Sequence, residues 1–416
     1  MHDLAVSDLV VLSVFGIVYL GMILGGLPRL QLDRTGVALL GAIAIVGAGV
    51  MTPEAAAQAI HLPTILLLFS FMVISAQMRL GGFYGAVTRR IAALPLAPVG
   101  LMGVVIAASA LLSAVFSNDI VCLAMAPLLL EACLRRRLDP IPFLLGLACA
   151  SNVGSALTLI GNPQNMLIGE VLKLPFGAYS LQALPPVLAG LLALWALLAW
   201  QMRHGAPAAV QEAPVPDEPP FDAWQTAKGL IVAGVLVAIF LLTSWPRDVA
   251  ALVGAGYLLL SQRFHSSKVM GLIDWELLVL FMGLFVVNAA LEHTGMTKAA
   301  INWLLAQGLD LGQTWPLFGA TLALSNLVSN VPAVMLLLPG ATAATAAPTA
   351  GPTLALVSTL AGNLLIVGSI ANIIVVDAAR RAGVLIDWRR HARTGLPVTL
   401  ASLALTALWL AWLARA

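Results

Sequence analysis

The sequence predicts an all-α polytopic membrane protein. It is built as an inverted repeat, with about five spans and a re-entrant hairpin in each half and broken helices at the midplane. Three observations predict this fold: an apolar composition, polar residues inside apolar stretches, and motifs that recur in the same order. Of the 416 residues, 60% are hydrophobic and 10% are charged, and the mean hydropathy is +0.98. Soluble domains carry about 25% charged residues, so the composition indicates an integral membrane protein.

The apolar stretches predict helices and exclude a β-barrel. A spanning helix needs about 20 apolar residues, so this length allows about ten spans. Runs such as "LLALWALLAW" lack the alternation of barrel strands. The three cysteines, Cys122, Cys133 and Cys149, have no metal-ligand spacing and are interpreted as reduced core residues. The N-terminal segment has no basic region or cleavage site, so we expect a retained first span.

The stretches divide the chain into three parts. The first repeat is expected over residues 1–180, with a hairpin near 99–134 and a broken helix near 141–176. A connecting helix and a Pro-rich linker follow over 181–226. The second repeat is expected over 227–416, with a hairpin near 315–340 and a broken helix near 354–379.

The distribution of basic residues predicts the orientation. When the chain is threaded through these elements, 17 of the 21 Lys and Arg residues fall on one side. Because basic residues accumulate in cytoplasmic loops, that side is expected to be the cytoplasm. The other side keeps Lys173, Arg247, Lys298 and Arg415. We therefore expect a bacterial inner-membrane protein with a cytoplasmic linker and both termini outside. Treating either hairpin as two full crossings leaves this orientation unchanged.

Four features recur in order and predict the repeat. Asn118 and Asn330 are each followed nine residues later by a proline, and "PTILLLFSFM" aligns with "WELLVLFMGL" at the same offset along the chain. "GNPQN" and "GSIAN" share a G-x-x-x-N spacing at a slightly shorter offset, and an acid follows each five residues after the asparagine. The threading gives the two halves opposite orientations, as in many secondary transporters that bind solutes at broken helices near the midplane.

The polar residues at the tips and breaks are the predicted binding site. Polar groups in the bilayer are costly unless they line a cavity or bind something. Helix N-termini attract anions, carbonyls attract cations, and asparagine side chains can serve either. The predicted solute or ion site is Ser117, Asn118, Asp119, Gly161, Asn162, Asn165, Ser329, Asn330, Gly368, Ser369 and Asn372. Asn118, Asp119 and Asn330 are candidate Na⁺ ligands.

Several residues have an alternative interpretation. Asp119 is either a Na⁺ ligand or proton carrier, or an N-cap of a helix that begins at Ile120. Glu170 and Asp377 lie near helix ends, or take part in gating. The remaining polar candidates, Asn152, Ser155 and Asn363, either line the cavity or join helices by hydrogen bonds. No nucleotide-binding, nucleophile or zinc motif is found, so the chain is not expected to be an enzyme.

The motifs "SNDIVCLAMAP", "ASNVGSALTLIGNPQNMLIG" and "SNLVSNVPAVMLLLP" resemble the ion transporter superfamily. They are most similar to its arsenical-pump and citrate-transporter-like branch, which is related to NhaD-type antiporters and divalent anion/sodium symporters. The symporters carry Ser-Asn-Thr at both tips, whereas here Asp119 and Val331 follow the Ser-Asn pairs. The resemblance implies a homodimer with a scaffold and a mobile transport domain that moves as an elevator. For an arsenical pump it also implies a soluble ATPase subunit as partner.

These observations predict a secondary active transporter of a small anion or oxyanion-type solute. The coupling ion is H⁺ or Na⁺, no cofactor is expected, and the partners are the solute, the bilayer and a second copy, with no nucleic acid. Arsenite or antimonite efflux is the most specific version. The alternatives are Na⁺/H⁺ antiport without another solute, and a channel or receptor.

Overall fold

The structure is a computed structural model that describes residues 6–27, 30–204, 219–343 and 346–415. Within these ranges the chain is helical, apart from one isolated bridge between Gly26 and Asp33. Most of the predicted linker lies outside the described residues. In chain order the helices are α1 (Val6–Leu24), α2 (Arg34–Gly47), α3 (Pro53–Ala59), α4 (Leu62–Leu80), α5 (Phe83–Ala92), α6 (Pro98–Val115), α7 (Asn118–Arg135), α8 (Pro140–Ser155), α9 (Pro163–Val171), α10 (Phe176–His204), α11 (Ala223–Leu242), α12 (Arg247–Leu259), α13 (Ser266–Met270), α14 (Trp275–His293), α15 (Met296–Ala306), α16 (Thr314–Val328), α17 (Asn330–Ala341), α18 (Ala350–Ala361), α19 (Ile370–Arg381) and α20 (Trp388–Leu413).

Local sequence sets many of the helix starts. Five helices begin after an aspartate whose carboxylate accepts a hydrogen bond from a backbone N–H of the first turn, which satisfies an otherwise free donor. These residues are Asp33, Asp139, Asp222, Asp274 and Asp387. Proline occupies the first turn of α3, α4, α6, α8 and α9, where its missing N–H costs nothing.

The protein is a polytopic membrane protein. Seven described helices, α1, α4, α6, α10, α11, α14 and α20, are long and apolar enough to cross a bilayer. Helices α2, α8, α17 and α18 are apolar but shorter. The α10 helix begins at Phe176, directly after Pro175, and not at residue 181, where the connecting helix was expected to start.

Two pairs of helices turn back at a short connection, and two segments are interrupted. Phe116 and Ser117 join α6 to α7, and Ser329 alone joins α16 to α17. Residues 156–162 separate α8 from α9. Residues 362–369, which include one 3₁₀ turn, separate α18 from α19. These connections are the elements that carry the candidate site.

The packing pairs helices from the two halves of the chain. Helix α4 packs against α12, and α14 packs against α2. The number of residues between the starts of α4 and α14 is the same as the number between the starts of α2 and α12. That separation also relates Gly82 to Gly295, which precede α5 and α15 with φ angles of 67° and 74°. Because such angles favour glycine, both halves require this residue at the same turn.

Candidate functional site

The first hairpin tip touches the first helix break directly. The backbone N–H of Asn118 donates to the Gly161 carbonyl at 3.2 Å. A side chain at Gly161 would not fit, because its Cβ would lie 2.3 Å from the Ser155 carbonyl oxygen and 2.8 Å from that of Ser113. Glycine therefore allows the α7 N-terminus and the α8–α9 break to approach each other closely.

Asn152 links the first half of the chain to the break in the second half. Its side-chain oxygen accepts hydrogen bonds from Asn118 Nδ2 at 3.0 Å and from Ser369 Oγ at 2.9 Å. Its Nδ2 donates to the side-chain oxygens of Asn363 at 2.8 Å and Asn372 at 3.2 Å. All five residues are buried, so these hydrogen bonds form inside the protein and away from the lipid-facing surface.

Thr359 makes the corresponding link from the second half to the first. Its hydroxyl accepts from Asn162 Nδ2 at 3.2 Å and from Gln164 Nε2 at 3.3 Å, and donates to Asn165 Oδ1 at 3.3 Å. Thr359 is the counterpart of Asn152, because both stand at the same distance in sequence before the glycine of their own half's break. By the same alignment Asn162 corresponds to Ser369, and Asn165 to Asn372. Each half thus contacts the same two positions of the other half's break.

The two breaks are held by side-chain caps. Asn162 accepts from the backbone N–H of Asn165 at 2.9 Å, and Ser369 accepts from that of Ala371 at 3.2 Å. Asn372 Nδ2 donates to the carbonyls of Gly362 at 2.9 Å and Leu365 at 3.1 Å. These bonds satisfy backbone groups that the interruptions leave without a helical partner. The helices can therefore be interrupted inside the protein without leaving these groups unpaired.

Several unpaired side-chain oxygens lie at the two tips. Among the described residues, the buried oxygens without a hydrogen-bond partner include Ser113 Oγ and Asn118 Oδ1 at the first tip. They also include Ser325 Oγ, Asn326 Oδ1 and Asn330 Oδ1 at the second. A buried oxygen without a donor costs roughly 1–3 kcal/mol, so these atoms are suited to accept from a solute or to bind a cation.

The second tip differs from the first in its backbone. Ser329 has φ 78° and ψ 161°, a strained conformation for a residue with a side chain, whereas Ser117 has φ −53°. Asn330 lies beside the second break, since a Cβ on Gly362 would be 3.1 Å from its Nδ2. Gly368 lies within that break, and a Cβ on it would be 3.0 Å from the Gly362 carbonyl oxygen.

Asp119 lies in the first turn of α7 and is only half-buried. The helix begins at Asn118, so Asp119 is not an N-cap of a helix that starts at Ile120, and that alternative is wrong. Its carboxylate faces the backbone N–H of Ala371 at the start of α19, and α7 packs along α19. Asp119 is therefore a carboxylate between a tip of the first half and a broken helix of the second.

The remaining candidates divide into two groups. Ser155 is buried and accepts from Asn162 Nδ2 at 3.0 Å, so it belongs to the network. Glu170 and Asp377 lie away from it, at the far ends of α9 and α19. Glu170 is buried against Arg247, 2.8 Å away, while Asp377 is more exposed and pairs with Arg381 on its own helix at 2.7 Å.

A cavity of about 680 Å³ lies elsewhere. It is lined mainly by apolar side chains such as Phe15, Phe285 and Leu336, His61 is also among its lining residues, and it includes no residue of the network. Burial lowers the pKa of His61, and the nearby Lys173 acts in the same direction. The polar site and this apolar cavity are thus separate features.

Sequence reasoning missed several residues of the network. Thr359, Gln164 and Tyr179 were not predicted, although Tyr179 receives a bond from Asn165 Nδ2 at 3.3 Å and donates to the Ala156 carbonyl at 2.7 Å. His391, on α20, bonds the Asn363 carbonyl at 3.1 Å. The signal for Thr359 was present, because the alignment that pairs the two helix breaks also pairs Thr359 with Asn152.

Comparison with known proteins agrees with this architecture. Residues 14–361 match the model of a family described as "Citrate transporter" (CitMHS). The chain belongs to this family. An uncharacterised transporter of Mycobacterium tuberculosis is 31% identical over 92% of this chain and 94% of its own length. The silicon efflux transporter LSI3 of Oryza sativa is 29% identical over 93% of this chain and 94% of its own length.

The fold also matches a solved transporter. The crystal structure of the Alcanivorax borkumensis YdaH transporter superposes with a TM-score of 0.57 at 15% identity, over 100% of this chain and 99% of that one. At this identity the similarity concerns the fold alone. The citrate transporter family member described here is therefore a secondary transporter and not an enzyme.

Proposed function

We propose that this transporter exports a small oxyacid that is neutral or weakly acidic, of the arsenite, antimonite or silicic acid type. Transport is coupled to H⁺ or Na⁺ and proceeds by an elevator-type movement in the inner membrane. The observation that supports the solute class is the chemistry of the network around Asn152 and Thr359. In the described part of the chain its side chains are amides and hydroxyls, with the His391 imidazole at the Asn363 carbonyl, and it includes no Lys or Arg.

Amides and hydroxyls suit a neutral hydroxylated solute. Each asparagine offers donors and an acceptor, so the site can pair with both the O–H groups and the oxygens of an oxyacid. A trianion such as citrate would need compensating charge, which here could come only from helix N-termini and bound cations. The efflux function of the rice relative, with similar length and 29% identity, points to the same solute class.

The coupling ion is proposed to bind near the tips. Oxygen ligands suit Na⁺, and the unpaired oxygens of Asn118 and Asn330 are available at the two tips. Asp119 supplies a carboxylate beside the first tip, which could neutralise Na⁺ or carry a proton. Asp119 lies on α7 where this helix packs against α19. Binding of the ion there would therefore change the charge at the contact between the two halves.

The experiment uses purified protein in proteoliposomes with imposed Na⁺ or pH gradients. Arsenite and silicic acid should move against their own gradients, whereas citrate should not. Asp119→Asn should keep passive exchange of the oxyacid but lose gradient-driven accumulation. Citrate accumulation without oxyacid transport would overturn the proposed solute class.

Sodium/proton exchange is the second candidate, favoured by Asp119 and the unpaired tip oxygens. It predicts proton movement in response to a Na⁺ gradient with no added solute. It also predicts that Asp119→Asn abolishes all transport, since the cation carrier is lost. These two results together would replace oxyacid export by cation exchange.

A further inference from the structure

Arg247 joins the start of α12 to the far end of the broken helix α9. Its Nε lies 2.8 Å from Glu170 Oε1, and both side chains are largely buried. Its remaining guanidinium nitrogens donate to the carbonyls of Gly169 at 2.7 Å and Leu174 at 3.1 Å. One guanidinium therefore neutralises a buried carboxylate and caps the carbonyl end of α9, where positive charge is favoured.

The other half of the chain has the same two residue types at the corresponding positions. Arg34 is the first residue of α2, as Arg247 is of α12, and the alignment that pairs α4 with α14 also pairs these two helices. Asp377 lies in α19 and corresponds to Glu170 in α9, because each acid comes five residues after the asparagine of its own break. The two halves therefore carry equivalent arginines and equivalent acids.

The second pair is open in this structure. Arg34 Nε donates to the Met22 carbonyl at 3.2 Å, and Asp377 pairs with Arg381 of its own helix. Arg34 and Asp377 are both half-buried. Within the described ranges no ion pair joins them. The two halves thus hold equivalent charges in two different arrangements, one closed onto the neighbouring helix and one not.

We propose that Glu170–Arg247 and Asp377–Arg34 are alternate latches, each closed in one of two states of the transport cycle. This inference rests on the proposed alternating movement. When two related halves exchange conformations, the arrangement of one half is adopted by the other. The closed pair therefore opens as α9 leaves α12, and the open pair closes as α19 reaches α2. Each latch stabilises one state. The difference between the free energies that the two latches contribute therefore shifts the ratio of the two states.

Cross-linking tests the open pair. Arg34→Cys and Asp377→Cys are combined in membranes and treated with a bifunctional thiol-reactive cross-linker whose length matches an extended arginine–aspartate ion pair. A disulfide would require Cα atoms within about 7 Å, which an ion pair through an arginine side chain does not ensure, so the longer cross-linker is used to report the proposed closed form of this pair. Adding Arg247→Ala should raise the cross-linked fraction roughly five- to tenfold, as expected for a modest coupling between two states. Glu170→Gln, which keeps the side-chain shape, should act in the same direction.

Arg263→Ala is the matched control. It removes a different arginine–carboxylate ion pair, in which Arg263 lies 3.0 Å from Asp222, the N-cap residue of α11. It should leave the cross-linked fraction unchanged. Absence of a cross-link in every background, in variants that still transport, would overturn the latch and leave the transport function intact. A cross-link that rises with Arg247→Ala, in a protein that moves no tested solute, would support the latch and overturn the proposed function.

Discussion

At the residue scale, the site depends on asparagines whose partners come from the other half of the chain. Asn152 pairs with Asn118 on one side and with Asn363, Ser369 and Asn372 on the other. These side chains are buried, so loss of the bonds removes both a contact between halves and the satisfaction of several buried groups.

We predict that Asn152→Ala destabilises the protein and weakens solute binding. It leaves buried amide groups of Asn118, Asn363 and Asn372 with fewer partners, at a cost of roughly 1–3 kcal/mol for each unsatisfied group. Thermal unfolding in detergent should show a lower midpoint, and the stabilisation produced by added oxyacid should disappear.

Asn302→Ala is the control for this prediction. Asn302 has the same side chain, but it is exposed on α15 and belongs neither to the network nor to the two tips. It should retain the stabilisation by oxyacid. Equal loss in both variants would mean that the network around Asn152 is not the binding site.

At the element scale, the hairpins and breaks could be predicted because polar residues stand inside apolar runs. The positions of Ser117, Asn118, Ser329 and Asn330 at two tips follow from that pattern. The different backbone at Ser329 could not be predicted, since both tips have the same Ser-Asn pair. Thr359 was missed because a threonine in an apolar helix is compatible with many roles.

Close packing of α6 on α8 positions the first tip over the first break. A Cβ on Gly154 would lie 2.3 Å from the Ala110 Cα atom, closer than any side chain permits. We predict that Gly154→Ala forces the two helices apart and destabilises the protein by roughly 1–3 kcal/mol. Thermal unfolding, together with oxyacid transport, measures the effect.

Gly234→Ala is the matched control, because Gly234 lies in the interior of α11 with open space around its Cβ position. This substitution should be neutral or stabilise by up to about 1 kcal/mol, since alanine favours helix. If Gly154→Ala and Gly234→Ala show the same unfolding midpoint and the same oxyacid transport, the close approach of α6 and α8 does not position the first tip.

At the scale of the whole molecule, the proposed inversion of the two halves would explain why tips and breaks meet. Asn152 of the first half contacts the second break, Thr359 of the second half contacts the first, and each hairpin tip adjoins one break. Two halves that enter from opposite sides would bring four helix N-termini to one region. The residues that precede these N-termini are Ser117, Asn162, Ser329 and Ser369. Parallel halves, related by an axis along the membrane normal, would instead have equivalent helices entering from the same side of the membrane.

Labelling of equivalent positions tests this inversion. Ala97 precedes α6 and Leu309 precedes α16 at the aligned position of the second half, and both are exposed. The native cysteines are buried, so an impermeant maleimide should label mainly introduced ones. We predict that Leu309→Cys reacts from outside intact cells, whereas Ala97→Cys reacts only after the membrane is opened. Reaction of both from the same side would mean that the halves are parallel and would overturn the proposed inversion.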